Sequence, residues 1–260
     1  MTDEFPASPP PAATAPSTWS GPAAHPAAAD HLSTLRLGQS WVRNLLGGAD
    51  PSAPVPWCGT WQVADVALHL GTVHLWAAAM MRGVDIGVHD PAAPRDRESL
   101  VDFYDFAANI LWDSCVSLDA DRRALTLDGP GPPGYWWRRQ ANETLIHAAD
   151  IARSLAADET LNQVSAEQWD DVTDEVVSSL APRQVRLQRL APPATAIAFQ
   201  STDTAARWVW GPGDPVAKVS GPSKDVALTL WGRTSPWFAA PEIEGDEDAA
   251  RRALASKLTP

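Results

Sequence analysis

The sequence contains few cysteines and no segment that is typical of secretion. Its 260 residues include two cysteines, Cys58 and Cys115, and no Cys-x-x-Cys motif. Two cysteines are too few for a disulfide framework, so we expect the reducing environment of the cytoplasm. The first residues are acidic and no apolar stretch follows them, which is unlike a secretory signal. No run of about 18 apolar residues occurs, so we expect no membrane span.

Positive charge is also scarce. Lysine and arginine number 20 against 32 aspartates and glutamates, which gives a net charge of -12 and a pI of about 4.8. Binding to nucleic acid or to an anionic membrane requires a basic surface that neutralises phosphate groups. We therefore expect neither partner. The sequence leaves the oligomeric state open.

Several motifs that carry catalysis in other proteins are missing. The chain has no glycine-rich phosphate loop, no HExxH and no GxSxG, so the chemistries tied to them are not indicated. Cys58 has no histidine close to it in the sequence, and we interpret it as a packed loop thiol rather than a nucleophile. Tryptophan, in contrast, is abundant, with 13 residues against two tyrosines and five phenylalanines. A buried indole needs a hydrogen-bond partner for its N–H group, so tryptophans favour partly solvent-exposed positions such as cleft walls.

The N-terminal part of the chain has the pattern of a helical bundle. Residues 1–28 are rich in proline, alanine and serine, and we predict a disordered tail because they cannot bury enough apolar area to fold. Apolar residues then recur with the helical period and predict four helices, at residues 30–46, 61–81, 99–118 and 136–155. Four amphipathic helices predict a four-helix bundle over residues 29–182.

The pattern changes towards the C terminus. Short apolar runs between glycine and proline turns predict strands at residues 195–202, 206–210 and 216–220. Ser165 and Gln168 are spaced as a capping box, and helices are predicted at residues 165–180, 223–231 and 246–257. The expected fold class is mixed, with α and α/β parts. A small α+β C-terminal domain over residues 193–260 follows the bundle, with the boundary between residues 181 and 193.

The segment ANETLIHAAD, residues 141–150, carries the first indication of chemistry. Glu143 and His147 are four residues apart and lie on one face of the predicted fourth helix. A glutamate and a histidine at this spacing can chelate a metal ion from one helix. His69 lies in an apolar helical stretch, where an imidazole must find a partner or face a polar cavity, and is our candidate for a third ligand. Three protein ligands with one open position is the arrangement of a catalytic zinc site.

Each of these residues also has an ordinary explanation. A Glu-x-x-x-His pair is often an exposed polar pair, and a lone histidine in an apolar helix is often a satisfied core residue. Asp150 either orients a ligand histidine or is a surface carboxylate. His74 follows His69 by five residues and lies on a different face of the helix. We therefore predict His74 at the rim of the site or in contact with substrate.

Three separated segments match one family pattern. VPWCGTWQVADVALHLGTVH, residues 55–74, resembles a turn followed by an Asp-Leu-x-x-His-Leu helix, and the fourth predicted helix resembles a His-Glu-x-x-x-His-x-x-Asp pattern. VSGPSKDVALTLWGR, residues 219–233, resembles a Gly-Pro…Leu-x-Gly-Arg signature. In these features the chain resembles the mycothiol-dependent maleylpyruvate isomerase family, within the DinB-like superfamily. The matching residues of the two helices are Trp61, Asp65, His69, Leu70, Gly71, Glu143, His147 and Asp150.

The resemblance implies a DinB-like bundle in which His69, Glu143 and His147 hold zinc or another divalent metal ion, with mycothiol as the thiol cofactor. A metal-bound thiol is deprotonated and can attack an electrophilic carbon. With a maleylpyruvate-type acid, addition makes a single bond that rotates, and expulsion gives the trans isomer. With other electrophiles the same step is a thiol S-transfer. The implied substrate is a small electrophile or organic acid, and a non-catalytic metal- or ligand-binding regulator on the same bundle stays open.

Four further residues complete the predicted site. Arg233, in the LWGR signature, is our candidate for contacting a carboxylate of substrate or cofactor, with a structural salt bridge as the alternative. Arg82 and Trp61 are predicted to contact the cofactor. Arg82 could instead simply interact favourably with the dipole of its helix, and Trp61 could instead be a core residue. Asn142 stands where the family often has histidine. We expect this difference to alter hydrogen bonding near the site or the choice of substrate.

Overall fold

The computed structural model describes residues 28–84, 95–119, 122–233 and 240–260. The predicted disordered tail, residues 1–28, lies outside the described residues except for Ala28, which begins the first helix. Four long helices form the N-terminal part, as predicted. They are α1 (Ala28–Gly48), α2 (Val63–Arg82), α3 (Arg97–Ser117) and α4 (Gly134–Ser154).

The four helices pack as a bundle in which α1 and α2 each contact both α3 and α4. The ends of α2 follow from its sequence. The Gln62 backbone N–H donates to Asp65 Oδ2 at 2.8 Å, and Gly83 ends the helix at φ 69°, a conformation that glycine adopts without strain. Helices α2 and α3 approach closely at Gly71, where an added Cβ would lie 2.4 Å from Phe103 Cε1. A side chain larger than hydrogen therefore does not fit at this crossing.

Helix α2 is apolar along most of its length. Its mean hydropathy is 1.3 over its most apolar 18-residue window, so it is long and apolar enough to cross a membrane. From the sequence we expected no apolar segment of this length. In that window 61% of the residues are buried inside the fold. A core helix of a bundle has the same composition, so this property is weak evidence for a membrane span.

A short hairpin separates α3 from α4, in a segment that we predicted as a loop. Strand β1 (Ala124–Thr126) pairs with β2 (Gly129–Gly131) in antiparallel register. The segment is rich in glycine and proline, which disfavour strands, and this composition explains why sequence patterns missed it. The indole N–H of Trp136 in α4 donates to the carbonyl oxygen of Leu125 at 2.7 Å and fixes the hairpin on the bundle.

The C-terminal part contains a four-stranded mixed sheet in the order β4-β3-β5-β6. The strands are β3 (Ala196–Ser201), β4 (Arg207–Trp210), β5 (Pro215–Gly221) and β6 (Glu242–Gly245). Strands β3 and β5 are parallel, and the other pairs are antiparallel. The first three strands confirm the prediction, whereas β6 was missed because its EIEG sequence is short and mostly exposed.

The helix after the bundle is longer than predicted. Helix α5 (Ala166–Glu175) begins at the Ser165–Gln168 capping box and continues through a π-helical turn, Val176–Leu180, into α6 (Ala181–Arg186). We expected the helix to end before Pro182. Proline lacks the N–H group that would donate to the carbonyl four residues earlier, so we expected it to end the helix. Instead, the wider π turn lies immediately before Pro182, and the helix continues through it.

Helices α7 (Ser223–Leu230) and α8 (Glu247–Leu254) pack against the sheet, and α7 also contacts α5. One hydrophobic core joins this part to the bundle, because it contains residues of α4, of α5 and of the sheet. Examples are Ile146, Trp169 and Phe199, each at most 2% exposed. The mixed fold class is confirmed, and the boundary between residues 181 and 193 stays a prediction.

Candidate metal centre

Three of the residues selected from the sequence come together in the bundle. Donor atoms of His69 on α2 and of Glu143 and His147 on α4 all lie within 4.8 Å of one another. Oε1 of Glu143 is 3.2 Å from Nε2 of His69 and 3.3 Å from Nε2 of His147. We call these three residues the donor cluster. Glu143 and His147 are buried, and His69 is partly exposed, so the donor cluster opens to solvent at the α2 side.

Asp150 orients the ring of His147. The ring Nδ1 lies 2.9 Å from Oδ2 of Asp150, which is completely buried. A carboxylate accepts hydrogen bonds, so Nδ1 donates its proton and Nε2 presents a lone pair to the donor cluster. Burial is the main cause that lowers the pKa of His147, against the opposing effect of Asp150. The ring is therefore neutral at pH 7, and the surface-carboxylate interpretation of Asp150 is wrong because this residue is buried.

Two acceptor atoms therefore face each other in the donor cluster. Nε2 of His147 carries no proton, yet it lies 3.3 Å from an oxygen of Glu143. This arrangement is repulsive unless a cation lies between the two atoms. Burial, followed by the effects of His147 and Arg139, lowers the pKa of His69 to about 3, so this imidazole is neutral as well. Two neutral imidazoles and one carboxylate are a donor set that suits Zn²⁺ and leaves a fourth position open.

Arg233, from the C-terminal part of the chain, contacts Asp150, the residue that orients His147. Its Nε and Nη2 atoms donate to the two oxygens of Asp150 at 3.0 and 2.6 Å, and Nη1 donates to the carbonyl oxygen of Trp231 at 2.6 Å. Burial raises the pKa of Asp150, but the charge of Arg233 and the hydrogen bonds from His147 and Arg233 lower it to about 2. These contacts favour the structural salt bridge over carboxylate recognition for Arg233. Its predicted contact with substrate or cofactor stays a prediction.

Arg139 and Glu175 also belong to the site, and sequence reasoning missed both. The guanidinium of Arg139 donates to Oε2 of Glu143 and, at 2.6 Å, to Oε2 of Glu175. All three side chains are buried. Burial raises the pKa of Glu175, and Arg139 opposes this effect. The four-residue spacing of Arg139 and Glu143 on α4 was a usable signal, whereas Glu175 lies on α5 and only tertiary packing brings it here.

Asn142, which stands where the family pattern often has histidine, does not face the donor cluster. Its Nδ2 donates to Oδ2 of Asp171 at 3.0 Å and to Oε2 of Glu175 at 3.2 Å. Asn142 therefore shares Glu175 with Arg139. Through this shared partner Asn142 is linked to Arg139 and so to Glu143. Its expected effect on hydrogen bonding or on the choice of substrate stays a prediction.

Trp61 and Cys58 border the donor cluster on the loop side. The ring centre of Trp61 lies 5.1 Å from that of His69 and 6.4 Å from that of His147, so Trp61 forms a wall of the site. Sγ of Cys58 lies 3.5 Å from Oδ2 of Asp150. Burial, followed by the charge of Asp150, raises the pKa of Cys58 to about 12. The thiol is protonated at neutral pH, in agreement with a packed loop cysteine.

His74 and Arg82 lie away from the donor cluster. The predicted rim position of His74 is wrong, because the side chain is fully buried and its Nδ1 is 2.8 Å from Oε1 of Gln140. Direct contact with substrate is therefore not supported. Arg82 lies thirteen residues after His69, about 20 Å along the axis of α2, and its Nε donates to Oγ of Ser114 at 2.7 Å. This position argues against the predicted cofactor contact of Arg82.

A cavity of about 700 Å³ lies on the C-terminal side of the site. It does not include the donor cluster, but it shares Trp231 and Arg233 with the surroundings of that cluster. Trp57, next to Cys58, also lines it. The cavity therefore lies between the loop that joins α1 to α2 and the C-terminal part of the chain, with Arg233 on its wall.

Comparison with known proteins gives a consistent result for both parts of the chain. Residues 36–152 match the family model described as the mycothiol maleylpyruvate isomerase N-terminal domain, and residues 164–252 match the MDMPI C-terminal domain. No curated protein sequence matches the chain significantly. Two solved structures resemble it, a mycothiol-dependent maleylpyruvate isomerase and a His-to-Ala mutant of that enzyme. Each has a TM-score of 0.65 and 15% sequence identity, over 84% of this chain and 93% of the other.

Proposed function

The chain belongs to the mycothiol maleylpyruvate isomerase family, and from this membership and the donor cluster we propose that it is a zinc-dependent, mycothiol-using enzyme. Its substrate is a small electrophile of the maleylpyruvate type. The reaction is either cis-trans isomerisation or transfer of the thiol to the electrophile. The cytoplasm, where thiols stay reduced, is the proposed location.

The contact between His147 and Glu143 carries the metal part of the proposal. Asp150 holds the proton of His147 on Nδ1, so the lone pair of Nε2 points at an oxygen of Glu143 only 3.3 Å away. A hydrogen bond cannot form between two acceptors. Together with His69, these two side chains would hold a divalent cation, which would turn this repulsion into attraction, and we therefore assign the three residues as metal ligands.

The charges around the donor cluster favour an anionic fourth ligand. Glu143, Glu175 and Asp150 are carboxylates, and Arg139 and Arg233 are the cations paired with them, so these five side chains carry one net negative charge. With a divalent metal ion bound, these charges would sum to one positive charge. A thiolate ligand would balance that charge, and an uncompensated buried charge is costly. Zinc supplies the chemistry for this, since it lowers the pKa of a bound thiol until the thiol deprotonates.

The protein itself contributes orientation and shelter. Asp150 keeps the lone pair of His147 Nε2 directed at the donor cluster, and Trp61 covers one side of that cluster. Water therefore enters the donor cluster from the α2 side, where His69 is partly exposed. Cys58 takes no part as a nucleophile, because its raised pKa keeps it protonated. The external thiol is therefore the nucleophile of the proposed reaction.

The test is thiol-dependent turnover by the zinc-loaded protein. Maleylpyruvate is offered with mycothiol, with glutathione and with no thiol, and loss of the cis acid is followed by its absorbance. We expect turnover with mycothiol, and a fall of at least about a hundredfold in His69→Gln, since a metal ion contributes several kcal/mol to such catalysis. His31→Gln is the matched control, because His31 contacts Asp171 and not the donor cluster.

The alternatives give different outcomes in the same experiment. A product that retains the thiol, detected by mass spectrometry with an epoxide or halide substrate, assigns S-transfer instead of isomerisation. A protein that binds zinc but turns over no electrophile with any thiol contradicts the enzyme proposal. That outcome favours the metal- or ligand-binding regulator.

A further inference from the structure

Glu143 offers its two oxygens to two different partners. Oε1 faces His69 and His147 at 3.2 and 3.3 Å, whereas Oε2 accepts from the guanidinium of Arg139. Arg139 is 5% exposed, so solvent does not compete for this contact. The carboxylate therefore has one oxygen directed at the donor cluster and one that is engaged elsewhere.

Arg139 is itself held in place on two sides. Its Nη1 donates to Oε2 of Glu175 at 2.6 Å, and its guanidinium carbon lies 5.4 Å from the ring centre of Trp231, within the range of a cation–π contact. Asn142 donates to the same oxygen of Glu175 at 3.2 Å and fixes that carboxylate. Because α4, α5 and the C-terminal part each supply one of these contacts, Arg139 cannot swing away without losing several buried interactions.

We propose that Arg139 is a positioning residue that keeps Glu143 a one-oxygen metal ligand and so preserves an open coordination position for the thiol. A carboxylate binds a metal ion through one oxygen or through both. The second mode would use the position that the thiol needs. Arg139 prevents it by occupying Oε2, and Glu175 and Trp231 fix Arg139 in that role. The proposal rests on the proposed metal site.

The neighbouring residue Arg138 provides a matched control. It lies on the same helix, is partly buried, and pairs with two carboxylates of α5, Asp171 at 3.0 Å and Asp174 at 2.7 Å. It makes no contact with Glu143 among the hydrogen bonds and ion pairs of the described residues. Removing either pair costs an ion pair between the same two helices, and only the removal of Arg139 frees Oε2 of Glu143.

The test compares Arg139→Met/Glu175→Gln with Arg138→Met/Asp174→Asn and with the wild type, each stripped and loaded with Co²⁺. Both members of each pair change, so that neither Glu175 nor Asp174 is left as a buried carboxylate that has lost its arginine. Cobalt reports coordination number, because four-coordinate cobalt absorbs visible light more strongly than five-coordinate cobalt. N-acetylcysteine is then titrated, and the sulfur-to-cobalt charge-transfer band gives its affinity.

We expect all three proteins to bind cobalt. The Arg139 double variant should show weaker visible absorption than the wild type and an affinity for N-acetylcysteine lower by about tenfold or more, the usual size of effects from residues that orient a ligand. The Arg138 double variant should match the wild type in both readouts. If the Arg139 double variant does not fold, judged by circular dichroism, Glu175→Gln alone should show the same change in smaller size.

Three outcomes would overturn the proposal. The first is an unchanged spectrum and thiol affinity in the Arg139 double variant, and the second is an equal change in the Arg138 double variant. The third is loss of cobalt from the Arg139 double variant, because the proposal expects a freed Glu143 to hold the metal through both oxygens. A wild type that binds no cobalt at all would contradict the proposed metal site itself, and the two failures are thereby distinguishable.

Discussion

Arg233 and Asp150 form a two-point ion pair, with Nη2–Oδ2 and Nε–Oδ1 distances of 2.6 and 3.0 Å. Asp150 belongs to α4 of the bundle, whereas Arg233 follows α7 in the C-terminal part. Because Asp150 also accepts the hydrogen bond from Nδ1 of His147, the ion pair connects the C-terminal part to the donor cluster. The second part of the chain therefore supplies a partner to the carboxylate that contacts a histidine of the first.

The first prediction concerns this connection. Arg233→Met removes both donors to Asp150 and loosens the ring of His147, so zinc affinity should fall by about 10- to 100-fold. Arg233→Lys, with one charged group in place of the planar fork, should recover part of the loss. Zinc affinity is measured by competition with a chromophoric chelator.

The control for this measurement is Arg252→Met, since Arg252 is exposed on α8. We expect it to bind zinc as the wild type does. Equal zinc affinity in Arg233→Met and the wild type would show that Asp150 orients His147 without help from Arg233.

The second prediction is a pH effect from His74. Burial is the main cause that lowers the pKa of His74 from 6.5 to about 4. Between these values the unfolded chain binds a proton that the folded chain does not, so the free energy of unfolding falls as pH decreases through this window. The loss due to this residue approaches about 3 kcal/mol at pH 4. It is absent above pH 6.5.

His74→Gln removes this titration. The free energy of unfolding is measured in urea at pH 7.5 and 4.5, on metal-free protein. We expect the difference between the two pH values to be smaller in His74→Gln than in the wild type, because the other titrating groups are common to both. An equal difference would mean that His74 titrates normally in the folded chain.

The third prediction is that Cys58 reacts slowly. With a pKa of about 12, about one thiol in 100,000 is ionised at pH 7, and the thiolate is the reactive form. Iodoacetamide should therefore label Cys58 much more slowly in the native protein than in urea, as followed by mass spectrometry. Cys58→Ala should retain thiol-dependent activity. Rapid native labelling of Cys58, together with loss of activity in Cys58→Ala, would make this cysteine a candidate nucleophile.

The fourth prediction compares two glycines in helices. Gly71→Ala would place its Cβ 2.4 Å from Cε1 of Phe103, and should lower the free energy of unfolding by about 1–3 kcal/mol through overpacking. Gly47→Ala meets no atom within 4 Å and should raise it by about 0.4–1 kcal/mol, since alanine has less freedom in the unfolded chain. Urea unfolding of both variants distinguishes a packing effect from the general cost of replacing glycine.

Much of the bundle could be predicted because its helices bury one face each. Burial imposes the helical period on the sequence. That period places Glu143 and His147 on one face of a helix, a spacing that suggests they bind one metal ion, with His69 as a candidate third ligand. The strands β3, β4 and β5 were predictable for the same reason, since each buries alternate residues or is buried throughout. Hairpin β1–β2 and strand β6 are short and partly exposed, so the periodic signal is absent.

The remainder of the site depends on tertiary contacts. The pairing of Arg139 with Glu175 and of Arg233 with Asp150 joins segments 36 and 83 residues apart, and no local pattern marks such partners. The burial of His74 was unpredictable on similar grounds, because the helical period shows that it faces away from His69 but not that Gln140 covers it. Local spacing therefore predicts metal ligands on one helix, whereas the residues that orient them become visible only after folding.

The most direct test of the account is the metal content of the purified protein. Wild type, His69→Ala and His147→Ala are supplied with zinc, freed of loosely bound metal by gel filtration and measured by elemental analysis, with circular dichroism to show that each is folded. We predict about one zinc ion per wild-type chain and a loss of zinc from both variants. A folded wild type that retains no zinc, or variants that retain as much zinc as the wild type, would contradict the assignment of the donor cluster as the metal site.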